Sequence, residues 1–170
     1  MKRLTHISVF ILFLLSSAFC RAESEKVEHD FTKGTPRIEY SLDYKTATTD
    51  LLTYTCYGTG TFAAINYIPH LTLPGRNDTV KTTRVDELKR ITIYLNKDSK
   101  ASNIKIYLSK DGVTFGDALS AEYFSSGMID AGFPRGNYYV IIVNDVASNT
   151  FAIKKIDYYL DHCNCFEYVP

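Results

Sequence analysis

The chain has 170 residues, of which 45% are hydrophobic and 22% charged, and its 19 Lys plus Arg balance 19 Asp plus Glu to a formal net charge of zero. This is the composition of a folded globular protein of single-domain size, and it excludes a disordered acidic chain and a nucleic-acid binder, which needs a basic surplus. Aromatic usage is uneven, with 13 Tyr and 10 Phe but no Trp; Tyr suits strands, and also binding surfaces that need an apolar ring with a polar tip.

At the N-terminus, Met1 to Arg3 form a short basic head, Ile7 to Leu15 an apolar run broken only by Ser8, and Ser16, Ser17 and Ala18 a small-residue end. This three-part layout predicts a secretory signal peptide, and the apolar run is too short to span a bilayer. No later segment is apolar enough to span one, so the expected location is secreted, periplasmic or cell-surface. Cleavage after Ala18 and cleavage after Ala22 both satisfy the small-x-small rule. The second removes Lys2, Arg3 and Arg21 and leaves 16 basic groups against 19 acidic ones, a net charge of −3. A lipid-modified Cys20 is disfavoured by Phe19, which stands where a small side chain is required. The expected organisation is a signal peptide over 1–22, a flexible lead-in over 23–35, a β domain over 36–161 and a Cys-containing tail over 162–170.

Cys20, Cys56, Cys163 and Cys165 are the cysteines. Export permits disulfides, but parity depends on the cleavage point: four cysteines remain after a cut at Ala18, three after a cut at Ala22. Cys163 and Cys165 are too close in sequence to bridge each other without strain. A bridge from Cys56 to either of them would close a long loop and contribute about 4–5 kcal/mol on the loop-entropy account. His162-Cys163-Asn164-Cys165 resembles half a zinc site whose second half is missing, so a disulfide or free thiol is favoured over metal.

From Arg37 onward, short apolar or alternating runs are separated by turn residues, the pattern of an all-β fold. Predicted strands are Arg37–Tyr44, Leu51–Tyr57, Thr61–Tyr67, Thr79–Arg84, Leu88–Leu95, Asn103–Ser109, Ala121–Phe124, Asn137–Val143 and Phe151–Leu160. Gly58-Thr59-Gly60 precedes a strand-like run and not a helix, so it reads as a turn and not as a dinucleotide loop. Ile91, Ile93 and Leu95 alternate with Arg90, Thr92 and Tyr94, and Ile104, Ile106 and Leu108 with Lys105, Tyr107 and Ser109. Each run therefore has one face for the core and one for water. Joining them as a hairpin through Asn96–Ser102, with Ile93 opposite Ile106, would make Tyr94 and Tyr107 diagonal neighbours beside Arg90 and Lys105. Tyr138 to Val143 is apolar on both faces and reads as a central strand, entered through a turn at Pro134–Asn137. In the last strand Lys154-Lys155 breaks the alternation of Ile153 and Ile156, which predicts a bulge.

No catalytic constellation is visible. Asp86 and Glu87 are adjacent, so on a strand their side chains diverge, and His29, His70 and His162 stand apart from any nucleophile motif. A non-enzyme is therefore expected. Ser109-Lys110-Asp111-Gly112-Val113-Thr114-Phe115 reads as a strand end, an Asp-Gly turn and a return anchored by an aromatic residue. Asn77-Asp78-Thr79 forms a glycosylation sequon, or simply a polar turn entering a strand.

Asn103 to Gly112, then Pro134 to Asn144, then Ile153 to Tyr158 together resemble the galactose-binding-like, discoidin-type jelly roll found in exported bacterial proteins and beside polysaccharide-degrading enzymes. The resemblance covers roughly 48–161 and implies an antiparallel β-sandwich of jelly-roll type. It implies ligand sites in loops at one end of the sandwich and is compatible with a structural calcium, although no acidic loop identifies one and no other cofactor is expected. The function it points to is a secreted, non-catalytic binding module for carbohydrate, with Tyr94, Tyr107, Arg90 and Lys105 as candidate ligand residues. The alternative is an adhesin-like protein-interaction role in the envelope, in which Cys163 or Cys165 would pair between molecules.

Overall fold

The computed structural model describes residues 21–34, 37–65, 68–96, 104–124, 126–146 and 151–164. The signal peptide expected over 1–22 lies almost wholly outside the described residues, as do Cys20, Cys165, the loop at 97–102 and the end of the tail. Regular structure among the described residues is β throughout. In chain order the strands are β1 (Arg21–Asp30), β2 (Glu39–Tyr40), β3 (Thr46–Thr48), β4 (Thr53–Tyr57), β5 (Thr61–Ile65) and β6 (Ile68–Leu73). They continue with β7 (Thr79–Leu95), β8 (Ile104–Ser109), β9 (Glu122–Phe124), β10 (Met128–Asn144) and β11 (Phe151–Asn164). Every pairing is antiparallel. No helix among the described residues is long and apolar enough to cross a membrane.

The sheet runs β2-β3-β4-β7-β11-β6-β5, with β1 added to β11, β10 to β7, and β8 and β9 to β10. The two 17-residue strands, β7 and β10, organise it. The first half of β7 lies between β4 and the second half of β10, and its second half between β11 and the first half of β10. Their shared ladder shifts register between Gly132 and Gly136, between Gly136 and Tyr138, and again between Tyr139 and Ile141. Such bulges bend a strand and let it turn a corner around a core. The sheet nearly closes: Phe62 N donates to Tyr44 O over 2.9 Å at one gap, and Leu119 N to Ile106 O over 2.8 Å at another.

One core lies inside. It takes Val80, Val85, Leu88, Ile91, Ile93 and Leu95 from β7 and Ile129, Ala131, Val140 and Ile142 from β10. Phe31, Tyr54 and Phe62 meet at its aromatic end, with Phe31–Tyr54 ring centroids 5.3 Å apart and Phe31–Phe62 5.7 Å apart. Each fully buried large side chain contributes about 1.5–3 kcal/mol. His29 lies edge-on to Tyr54 and Tyr158, and its Nδ1 is 2.6 Å from the Tyr54 hydroxyl.

Several expectations change. The lead-in is not loose: up to Asp30 it is β1, paired residue for residue with β11. Val27, His29 and Phe31 point inward and alternate with Lys26, Glu28 and Asp30, a period of two that a polar average conceals. The β domain thus begins before residue 36, and the last strand runs through His162 to Asn164. The hairpin joining Leu88–Leu95 to Asn103–Ser109 does not form. β8 pairs with β10, and β7 with β4, β10 and β11, so Ile106 stands opposite Ile142 and Ile93 opposite Ile129 and Ile156. Pro134–Asn137 is not a turn between strands but the bulged middle of β10. The central placement of Tyr139 to Val143, between β7 and β8, and the bulge at Lys154-Lys155 are as the sequence predicts.

Candidate functional site

The most distinctive surface feature is an aromatic groove on the outer face of the sheet formed by β4, β7, β10 and β8. Alternation in β4 turns Tyr54 and Cys56 into the core and leaves Tyr57, at the strand end before the Gly58 turn, pointing outward. Lys81 of β7 lies opposite Ile141 of β10, which lies opposite Tyr107 of β8, so this row shares the outward face. Ile141 is fully buried although its neighbours Val140 and Ile142 are the ones that join the core. The segment after β8 reaches this face at Lys81 and Tyr139.

That segment is a tight turn. Asp111 Oδ1 accepts from Val113 N and Thr114 N, both at 2.8 Å, and from Ser109 Oγ at 2.9 Å, and Oδ2 accepts from Thr114 Oγ1 at 2.8 Å. These bonds, led by that from Val113 N, hold the Asp111 carboxyl well below the usual carboxylate range. Gly112 has φ +75° and lies on the Tyr139 ring, where a β-carbon would come within 3.2 Å of ring atoms. Lys81 Nζ donates to Gly112 O over 2.9 Å and stands 6.0 Å from the Tyr57 ring centroid. The turn then delivers Phe115 beside Tyr107, with ring centroids 5.8 Å apart.

The result is an open groove of about 370 Å³ walled by Tyr57, Thr79, Lys81, Gly112, Val113 and Phe115. Val113 is 81% exposed, Phe115 50% and Tyr57 47%, so the groove presents unspent apolar surface to water with one ammonium on its wall. Such a surface can stack on an apolar ligand face while Lys81 and the Thr79 hydroxyl serve its polar edge. The Asp-Gly turn is present as the sequence predicts, but no strand returns along β8 to make it a hairpin: β9 pairs with β10.

The four expected ligand residues are not brought together. Tyr107 and Lys105 lie on the outward face of β8, and Tyr107 backs the groove through Phe115. Tyr94 and Arg90 lie on the other half of β7, in a charged network. Lys155 Nζ sits 4.1 Å from the Tyr94 ring centroid, and the Tyr94 hydroxyl donates to Asp157 Oδ2 over 3.2 Å. Arg90 donates to Asp130 over 2.9 Å, and its guanidinium lies 5.1 Å from the Tyr159 ring centroid. One face of the Tyr94 ring is thus covered by an ammonium. Burial works to raise the Asp130 carboxyl pKa, but Arg90 and the Thr92 hydroxyl outweigh it and hold the group below its ordinary value.

Sequence reasoning missed Tyr57, Lys81 and Phe115 as members of one site. The available signal was a large aromatic on the solvent side of an alternating strand at Tyr57. A second was the aromatic that follows the Asp-Gly turn at Phe115.

Cys56, a candidate disulfide partner of Cys163 or Cys165 for which the sequence leaves a free thiol equally open, is a free thiol in the structure. It is 5% exposed, turned into the core by the same alternation as Tyr54, and burial pushes its pKa up to about 12. The backbone of Cys163 is paired opposite Ala22, at the end of the β1–β11 ladder. His70 Nδ1 bonds Ile68 O and His162 Nε2 bonds Glu25. The Asn77 sequon sits on a turn: Asn77 has φ +65°, and the Asp78 carboxylate accepts from Thr59 N at 2.7 Å and Gly75 N at 2.6 Å.

Compared with models of known protein families and with curated proteins, the chain matches none.

Proposed function

We propose that the protein is an exported, non-catalytic binding module of jelly-roll β-sandwich type, and that its ligand is carbohydrate held in the groove between Tyr57 and Phe115. The observation that carries this reading is the pair of half-exposed rings, fixed by the Asp111–Gly112 turn, in a chain whose other central aromatics, Phe31, Tyr54 and Tyr158, are fully buried. A sugar ring offers an apolar C–H face for Tyr57 and Phe115 and hydroxyls for Lys81 and Thr79. The residues that line the groove include no carboxylate, and its aromatic and aliphatic walls support binding as the reading. The test is a glycan array probed with the wild-type protein and with Tyr57→Ala plus Phe115→Ala. Binding that is lost in the variant supports the reading, and binding that survives it, or a wild-type protein that binds no glycan, rejects it.

A second reading is a protein-interaction role. Leu42 is wholly exposed and Tyr44 55% exposed at the tip between β2 and β3, an apolar projection made of residues that do not line the groove. Loss of a partner in Leu42→Asp, with no effect of the groove variant, would favour it.

A further inference from the structure

We infer that the polar cleft at the bend of β7 and β10 is an anion subsite that takes the carboxylate of an acidic sugar; this deepens, and rests on, the carbohydrate reading of the neighbouring groove. The cleft measures about 440 Å³ and is walled by Glu87, Lys110, Arg135, Gly136, Asn137 and Tyr138. It exists because the β7–β10 ladder is interrupted there by two register shifts, so side chains that would alternate across a flat strand converge.

Its walls are held in place. Glu87 is a non-glycine residue at φ +57°, and its N–H donates to Asn137 Oδ1 over 3.0 Å. The Tyr138 ring folds back over Gly136, where any β-carbon would come within 2.8 Å of it, and its hydroxyl donates to Pro134 O over 3.0 Å. Phe133 meets that ring edge-on at 5.7 Å. Backbone strain kept by surrounding contacts is common where a structure prepares a ligand site.

The cations outnumber the carboxylate. Arg135 pairs with Glu87, Nε lying 2.6 Å from Oε2, and makes no other ion pair among the described residues. Lys110 is exposed and has no ion-pair partner among the described residues. Two cations against one carboxylate leave the cleft one positive charge in excess. That suits a monoanion with an apolar ring to lay on Tyr138, and a planar carboxylate fits the guanidinium fork.

The position joins the cleft to the groove. Lys110 begins the turn whose Gly112 and Val113 wall the groove, so one turn separates the two depressions. Lys81 in the groove and Glu87 in the cleft are both on β7, about 20 Å apart along the strand. An extended oligosaccharide can cover both, with its neutral ring faces on Tyr57 and Phe115 and one uronic acid at Lys110 and Arg135.

The test measures affinity for polygalacturonate, alginate and hyaluronan, each beside its carboxyl-reduced polymer, with thermal midpoints to confirm folding. At least one acidic polymer is expected to bind about tenfold more tightly than its reduced counterpart, with the margin shrinking as salt rises. Lys110→Ala and Arg135→Ala are each expected to lose about tenfold on that polymer and nothing on the reduced one. Glu87→Gln, which removes the competing carboxylate, is expected to tighten it. Lys110 is exposed, so its variant reports on the cleft even if Arg135→Ala fails to fold. Equal affinity for acidic and reduced polymers overturns this inference and leaves the carbohydrate reading standing; binding of neither kind overturns both.

Discussion

Lys81 Nζ donates to the carbonyl oxygen of Gly112 over 2.9 Å, tying the β7 wall of the aromatic groove to the turn that roofs it. The bond joins residues that belong to separate strand systems in sequence. Both residues line the groove, together with Tyr57, Val113 and Phe115.

The conformation of that turn depends on glycine. Gly112 combines φ +75° with a close approach to the Tyr139 ring, so Gly112→Ala meets both a left-handed backbone penalty and a contact at 3.2 Å. A loss of about 1–2 kcal/mol in unfolding free energy is expected from urea titration, with faster amide exchange over 110–115. An unchanged midpoint would show that the turn is not held in this conformation.

The protein is expected to lose stability in mild acid through His29. The ring is fully buried and its pKa is lowered from 6.5 to about 4, chiefly by burial, with Asp157 opposing. Between those values the unfolded chain binds a proton that the folded chain does not. The stability from His29 is therefore complete above pH 6.5 and is lost as the pH falls towards 4. The loss amounts to about 3 kcal/mol at the lower end. His29→Gln is expected to be less stable at neutral pH, because it loses the bond to Tyr54, but flatter across that interval. Denaturation midpoints measured through the interval would expose an equal slope in both proteins, which the account does not allow.

Cys56 is expected to be chemically silent in the folded state. With the thiol buried and its pKa pushed up to about 12, thiolate at neutral pH is negligible. Alkylation followed by peptide mapping should label Cys56 only after denaturation. Cys56→Ala should fold, whereas Cys56→Ser should cost about 1–3 kcal/mol by burying a hydroxyl. Recovery of a disulfide-linked Cys56 peptide from the native protein would refute the free-thiol assignment.

Asp78 is expected to be the most sensitive turn residue outside the groove. Its carboxylate receives Thr59 N at 2.7 Å, the Thr59 hydroxyl at 2.5 Å and Gly75 N at 2.6 Å, joining the turns after β4 and β6. Burial opposes the charge, and these bonds outweigh it, so the group stays below its ordinary carboxylate value. Asp78→Ala should lower unfolding free energy by about 3 kcal/mol, the scale of charge-assisted bonds lost from a buried site. A change under about 0.5 kcal/mol would place Asp78 among ordinary surface residues.

The sequence revealed strand faces better than strand neighbours. Ile91, Ile93 and Leu95 point into the core as their alternation requires, and the bulge at Lys154-Lys155 is where the broken period puts it. Alternation assigns a face, not a partner, and β7 and β8 are consecutive in chain order yet unpaired because β10 lies between them. Pro134 and Gly136 looked like the end of an element because both are turn formers. At a bulged corner the same residues let β10 continue. β1 escaped notice because Lys26, Glu28 and Asp30 mask the inward Val27, His29 and Phe31. The groove was legible only in parts: the Asp111–Gly112 turn could be read locally, but its contact with Lys81 depends on pairings more than thirty residues distant in sequence.

The measurement that bears most directly on the central claim is a backbone and aromatic NMR titration of the protein with the glycan that binds it best on an array. The groove account expects the largest shift changes at Tyr57, Lys81, Val113 and Phe115, with Arg90, Tyr94 and Tyr159 unmoved. Changes centred on Arg90 and Tyr94, or spread without a maximum at the groove, would contradict it.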